Sequence, residues 1–195
     1  YFDCTTIDLH AGIGSAQEPI TRMAGSDGHE FTGTFNGQGY TLTVSYGSSD
    51  SRISEPYAAP FRYVDGGTIQ NLRVSGSIYT SAKYAAGIIA DQYGAVTISN
   101  CRSSVTINSS VSGDGTHGGF VAVNHSGDSN SLTIEGCLFD GKLLGESTRC
   151  CGGFIGWRGC TTNIYNSLFA PADVTVLNTE SATFARNDVD THNCY

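Results

Sequence analysis

Along most of the chain, apolar residues alternate with Ser, Thr and Asn in short runs such as VTI, LTI and GFVAV, and clusters of Gly, Asn, Asp and Ser separate the runs. Alternation with period two belongs to strands, whose successive side chains point to opposite faces. The repeating segments lack the i, i+3, i+4, i+7 spacing of an amphipathic helix, so each reads as two or three short strands joined by turns.

The runs recur. TIQNL at 68–72, TISNC at 97–101, TIEGC at 133–137 and NIYNS at 163–167 align, setting Ile69, Ile98, Ile134 and Ile164 at intervals of 29, 36 and 30 residues. A second set precedes them: APFRY at 59–63, AGIIA at 86–90, GGFVA at 118–122, GGFIG at 152–156 and ATFAR at 182–186. Its lead residues Phe61, Ile88, Phe120, Phe154 and Phe184 are spaced 27, 32, 34 and 30 apart. Two ladders with one shared period indicate stacked units. A helix-free unit of this length fits a β-solenoid, in which each coil hydrogen-bonds the next at about 4.8 Å, better than the longer four-stranded blade of a propeller.

The expected fold is therefore an all-β, right-handed parallel β-helix of about five coils in a single domain. Residues 1–30 are expected to form an irregular N-terminal cap, 31–171 the coils, and 172–195 the final coil and opposite cap. The isoleucines should form one inward column, with Leu72, Cys101, Cys137 and Ser167 the next. Asn71, Asn100 and Asn166, with Gly136 in the fourth place, suit a left-handed corner. Asn36-Gly37 reads as a hairpin turn. The small residues Ala90, Ala122 and Gly156 are expected to let each coil bend. The same register puts Asp65, Gln92, Asn124, Arg158 and Asp188 in one outward column, flanked by Val64, Asp91, Val123, Trp157 and Asn187.

Composition narrows the function classes. Net charge is −8, charged residues are 14%, and there are 25 glycines. An acidic surface argues against nucleic acid as the main partner. No stretch is long and apolar enough to span a membrane, and the start YFDCTTIDLH has no signal-peptide pattern, which suggests a mature or excised piece of something longer. The seven cysteines, Cys4, Cys101, Cys137, Cys150, Cys151, Cys160 and Cys194, lack zinc spacing. Two readings stay open for them, disulfides of an exported protein or buried free thiols. The candidate pairings are Cys160 with Cys150 or Cys151, and Cys4 with Cys194.

The string FTGTFNGQGYTLTV at 31–44, followed by AGIIADQYGAVTISNC, GGFVAV…LTIEGC and GGFIGW…TNIYNS, resembles the GLUG-type repeat of bacterial surface proteins. The resemblance covers roughly residues 31–170. It implies a parallel β-helix within a larger secreted or cell-surface, adhesin-like protein. Asn36 and Tyr40 replace the usual Asp and His of that pattern, and insertions at 108–117 and 124–131 enlarge one side, where solenoids often build binding surfaces.

Motifs of chemistry are sparse. HExxH, GxSxG and P-loop patterns are missing, and GDGTHGG at 113–119 lacks the lysine of a phosphate loop. The outward column offers amides, acids, one guanidinium and the single Trp, the inventory of a sugar-binding surface. The candidate ligand-binding residues are accordingly Trp157, Arg158, Asp91, Gln92, Tyr93, Asn124, His125 and Asp65, with no catalytic or metal assignment. The expected partner is a glycan or a host surface protein, met by a monomeric module without membrane insertion or nucleic acid. No cofactor is implied, calcium being the one possible ion. The competing readings are a small polysaccharide lyase or hydrolase, which needs paired carboxylates or a basic residue beside calcium, and a structural spacer. A flat Thr array for ice or minerals is disfavoured, since the threonines form no regular ladder.

Overall fold

The computed structural model describes residues 6–195. Every ladder between its strands is parallel, and among the described residues there is no helix. Seven strands follow one another in chain order across one sheet: Thr6–Asp8, Thr34–Asn36, Phe61–Gln70, Ile89–Ser99, Ser131–Glu135, Thr161–Tyr165 and Asp190–His192. A second sheet runs from Thr41–Tyr46 through Arg73–Thr80 and Arg102–Ser109 to the short strands at 138–144 and 168–174. Outside the two sheets, successive coils are joined by the parallel bridges Ala58–Ala85 and Ala86–Gly118–Gly152–Ala182. The protein is a β-solenoid of about six turns.

The isoleucine ladder is in register: Ile69, Ile98, Ile134 and Ile164 pair rung to rung. Phe35 and Ile7 extend the column toward the N-terminus. All four isoleucines are fully buried, and each contributes roughly 1.5–3 kcal/mol through burial. Beyond the corner, Cys101 and Cys137 are buried thiols that donate to rung carbonyls, Cys101 to Ser99 and Cys137 to Glu135, and the Ser167 hydroxyl donates likewise to Tyr165. Cys194 continues this column, donating to the His192 carbonyl at 3.3 Å. Asn71, Asn100, Asn166 and Asn193 all turn the corner at φ near +50°, with Gly136 at +62°. The Asn71 amide donates to Asn36 and that of Asn193 to Asn166, so the corner side chains bond along the stack.

The repeated glycines answer to the opposite sheet. A Cβ on Gly119 would lie 2.6 Å from the Phe139 ring, and one on Gly153 2.5 Å from Phe169. The Phe120, Phe154 and Phe184 rings stack from coil to coil in the interior, with centroids 4.7 and 5.4 Å apart. The Gly-Gly-Phe pattern thus supplies one filled and one vacant place per coil, which ring and facing ring share.

Several expectations fail. Asn36-Gly37 is no hairpin turn: Thr34–Asn36 and Thr41–Tyr46 lie in different sheets, each pairing in parallel with the coil that follows. Residues 6–31 bridge to the coils beyond through Ile13–Leu42, Ile20–Val44 and Phe31–Val64. Backbone bonds of this kind need no sequence repeat. Ala90 and Ala122 are fully buried. They form a small buried layer with Ala59 and Ala86, against which Tyr57 and Tyr84 pack. The six described cysteines are all free, so Cys160 is not joined to Cys150 or Cys151. Cys4 lies outside the described residues.

Candidate functional site

Phe61 pairs with Ile89, not Ile88, and the register then slips by one more residue between Asp65 and Gly67, opposite Gly94-Ala95. A one-residue slip moves a strand's side chains to the other face. The columns are therefore Tyr63–Asp91–Val123–Trp157 and Val64–Gln92–Asn124, with Asp65 beside Tyr93.

The outward placement of Gln92 and Asn124 is overturned, since both are fully buried. Gln92 donates to the carbonyls of Tyr93 and Gly94 at 3.0 and 2.8 Å. The Asn124 amide donates to Thr162 Oγ1 at 3.1 Å, and its oxygen accepts from the Gly159 N–H at 2.6 Å. Such amides spend their hydrogen bonds holding the coil, which is how a polar side chain is tolerated inside. Asp65 is exposed but stands apart from the groove described below.

The other named residues gather on one side. Trp157 is 39% exposed and Tyr93 41%. Tyr93 stacks on His125 at 4.2 Å, and His125 Nε2 lies 2.6 Å from Asp91 Oδ1. Burial raises the Asp91 carboxyl, while the charge and hydrogen bond of His125 pull it back. Arg158 is anchored by its Nε, which donates to the Asp188 carbonyl at 2.6 Å.

Trp157, Arg158 and His125 line an open groove of about 670 Å³, whereas Asp91 and Tyr93 lie outside its lining. Lys83, Tyr84, Trp157, Arg158 and Arg186 line it together with Asp114, Thr116, Asn124 and His125. The two insertions supply Asp114, Thr116, His125 and Ser126. The Arg186 guanidinium sits over the Trp157 ring at 4.8 Å, and Lys83 over Tyr84 at 5.3 Å. Asp114 accepts from Lys83 at 2.8 Å, from Thr116 at 2.6 Å and from Arg186 at 3.3 Å. Burial pushes its carboxyl up, but these donors and cations outweigh that and hold it below the usual range. Beneath the groove, His117 is fully buried, accepts the Ala85 N–H at Nδ1 and bonds Ser109 at 2.8 Å; burial lowers its pKa to about 4.

Lys83, Tyr84, Asp114 and Arg186 were not singled out from the sequence. Lys83, Tyr84 and Asp114 lie on connections between repeat units, where no ladder marks a position, and Arg186 ends the last ladder segment, ATFAR. The insertions at 108–117 and 124–131 were the one signal pointing to this side.

A second groove, about 610 Å³, follows the Asn corner past Gln38, Asn71, Arg73, Asn100 and Arg102. Its corner amides partly face one another, Arg102 is held by Asp140, and no aromatic ring lines it. The Trp157 groove is the better candidate because a ring and charged donors meet there. Among the described residues no three His, Cys, Asp or Glu side chains converge to hold a metal ion. Comparison with known proteins matched no family, no characterised protein and no solved structure.

Proposed function

We propose that this chain is a secreted or surface-displayed module of an adhesin-like protein, binding a glycan in the Trp157 groove without acting on it. The observation that carries the reading is a half-exposed Trp ring set among donors with N–H groups to spare. Lys83 uses one of its donors on Asp114, and Arg186 one of its five. An aromatic face beside fixed polar groups is what a pyranose ring with its hydroxyls requires. The GLUG-type resemblance at 31–170 favours the exported, multi-domain setting.

A second reading, hydrolysis or elimination on a polysaccharide, draws support from one pair. Asp91, buried and raised, faces His125 at the groove's rim, as an acid and base would. Release of reducing ends or unsaturated products, lost on Asp91→Asn, would favour this reading over simple binding.

Trp157 is the single tryptophan, so its fluorescence reports the groove alone. Titration with a panel of neutral and acidic oligosaccharides is expected to shift that emission for at least one member. Trp157→Ala should weaken the same sugar about tenfold or more by calorimetry, with the β circular-dichroism spectrum unchanged. Silence across the whole panel would reject the groove as a glycan site.

A further inference from the structure

We infer that the sugar recognised in the Trp157 groove carries a carboxylate; the inference rests on the glycan reading above and narrows its ligand class. The argument is one of charge. The chain as a whole carries −8, with ten Lys and Arg. Three of those ten cations, Lys83, Arg158 and Arg186, line this one groove, against the single carboxylate of Asp114. His125 also lines it, with Nε2 hydrogen-bonded to Asp91 on the adjoining rung.

Asp114 cannot neutralise its surroundings. It holds Lys83 and Arg186 together, leaving one positive charge over from that trio. Arg158 adds a second. Among the described residues it makes no ion pair, its Nε and Nη1 donating instead to the backbone carbonyls of Asp188 and Cys160. Two like charges are thus kept close without a mobile side chain to cancel them. Backbone carbonyls hold the Arg158 fork, and Arg186 is held between Asp114 and the face of Trp157. A fixed guanidinium presents parallel N–H groups that match a carboxylate, and the bond is charge-assisted.

The overall negative charge sets the other bound. A polyanion would be repelled along most of the surface and attracted only here. A sugar bearing an isolated carboxylate meets the local excess of positive charge, while its ring lies against Trp157.

The test uses the intact chain and three matched probes: a cello-oligosaccharide ending in a single glucuronic acid, the same compound as its methyl ester, and the neutral parent cello-oligosaccharide. Binding is followed by Trp157 emission and by calorimetry at low salt. The acid is expected to bind about tenfold or more tighter than its ester. That advantage should shrink when salt shortens the screening length below about 10 Å. Arg158→Gln should cut the preference for acid over ester. The parent cello-oligosaccharide carrying a single sulfate as a fourth arm separates carboxylate recognition from a general taste for anions; equal binding of the sulfate and the acid would overturn the carboxylate assignment. Equal affinity for acid and ester would also overturn it, leaving the glycan reading intact. No response to any probe would overturn both.

Discussion

The Asn corner and the Trp157 groove are two sides of the same stack, built from the same coils, yet they use repetition in opposite ways. At the corner each residue meets its own counterpart: isoleucine on isoleucine, Asn on Asn, thiol or hydroxyl on the next. The bonding capacity there is largely consumed within the stack. At the groove the column reads Tyr63, Asp91, Val123, Trp157, four unlike side chains in four rungs. Contacts across rungs are between unlike partners, His125 with Asp91, Arg186 with Trp157, Lys83 with Asp114. Sameness holds a solenoid together, and departures from it leave chemistry facing outward.

Three substitutions or conditions sharpen this contrast. The largest effect is expected where the repeat is tightest. Gly119→Ala would place a Cβ 2.1 Å from the Gly153 carbonyl oxygen, which backbone pairing holds in place. A loss of about 3 kcal/mol or more in denaturant unfolding is expected. Gly113→Ala, on the groove-side insertion, meets nothing within 4 Å and strains only its φ of +103°, for about 1 kcal/mol. Similar losses at both positions would erase the distinction between the two regions.

The next effect depends on pH and belongs to the groove side. The His117 pKa is lowered to about 4 by burial, from roughly 6.5 in the unfolded chain. The unfolded state therefore binds the proton first. Stability is unaffected above about pH 6.5 and falls as pH drops from there toward 4, by about 3 kcal/mol in all. Hydrogen exchange on acidification should loosen the 108–118 segment ahead of the Asn corner, and His117→Asn should flatten the pH dependence. The smallest effect lies at the corner. Asn100→Ala at φ +52° should cost about 1 kcal/mol and Asn100→Gly less, measured by thermal unfolding.

What was legible in the chain follows the same division. The Ile column, the Asn corner and the Gly-Gly-Phe units stood out because identical surroundings select identical residues in every coil. The first coil was not legible, since its bridges run through backbone groups indifferent to side chain. The groove was only half visible. Trp157, Arg158, Asn124 and His125 do line it. Gln92 and Asn124 read as outward because they are polar, but backbone carbonyls, N–H groups and Thr162 satisfy them inside. The pairing of Phe61 with Ile89 rather than Ile88 misaligned the Asp65 and Val64 columns, and a strand gives no warning of one extra residue.

Asp114 joins partners that the sequence keeps far apart, Lys83 on an earlier coil and Arg186, 72 residues further along. A stack in which each unit touches only its neighbours frays from its free end one rung at a time. A tie spanning several rungs makes that peeling less gradual, for the last coils cannot lift away singly while it holds. Cutting it with Asp114→Asn would turn a collective opening into a stepwise one, loosening the far end of the molecule while its middle stays closed.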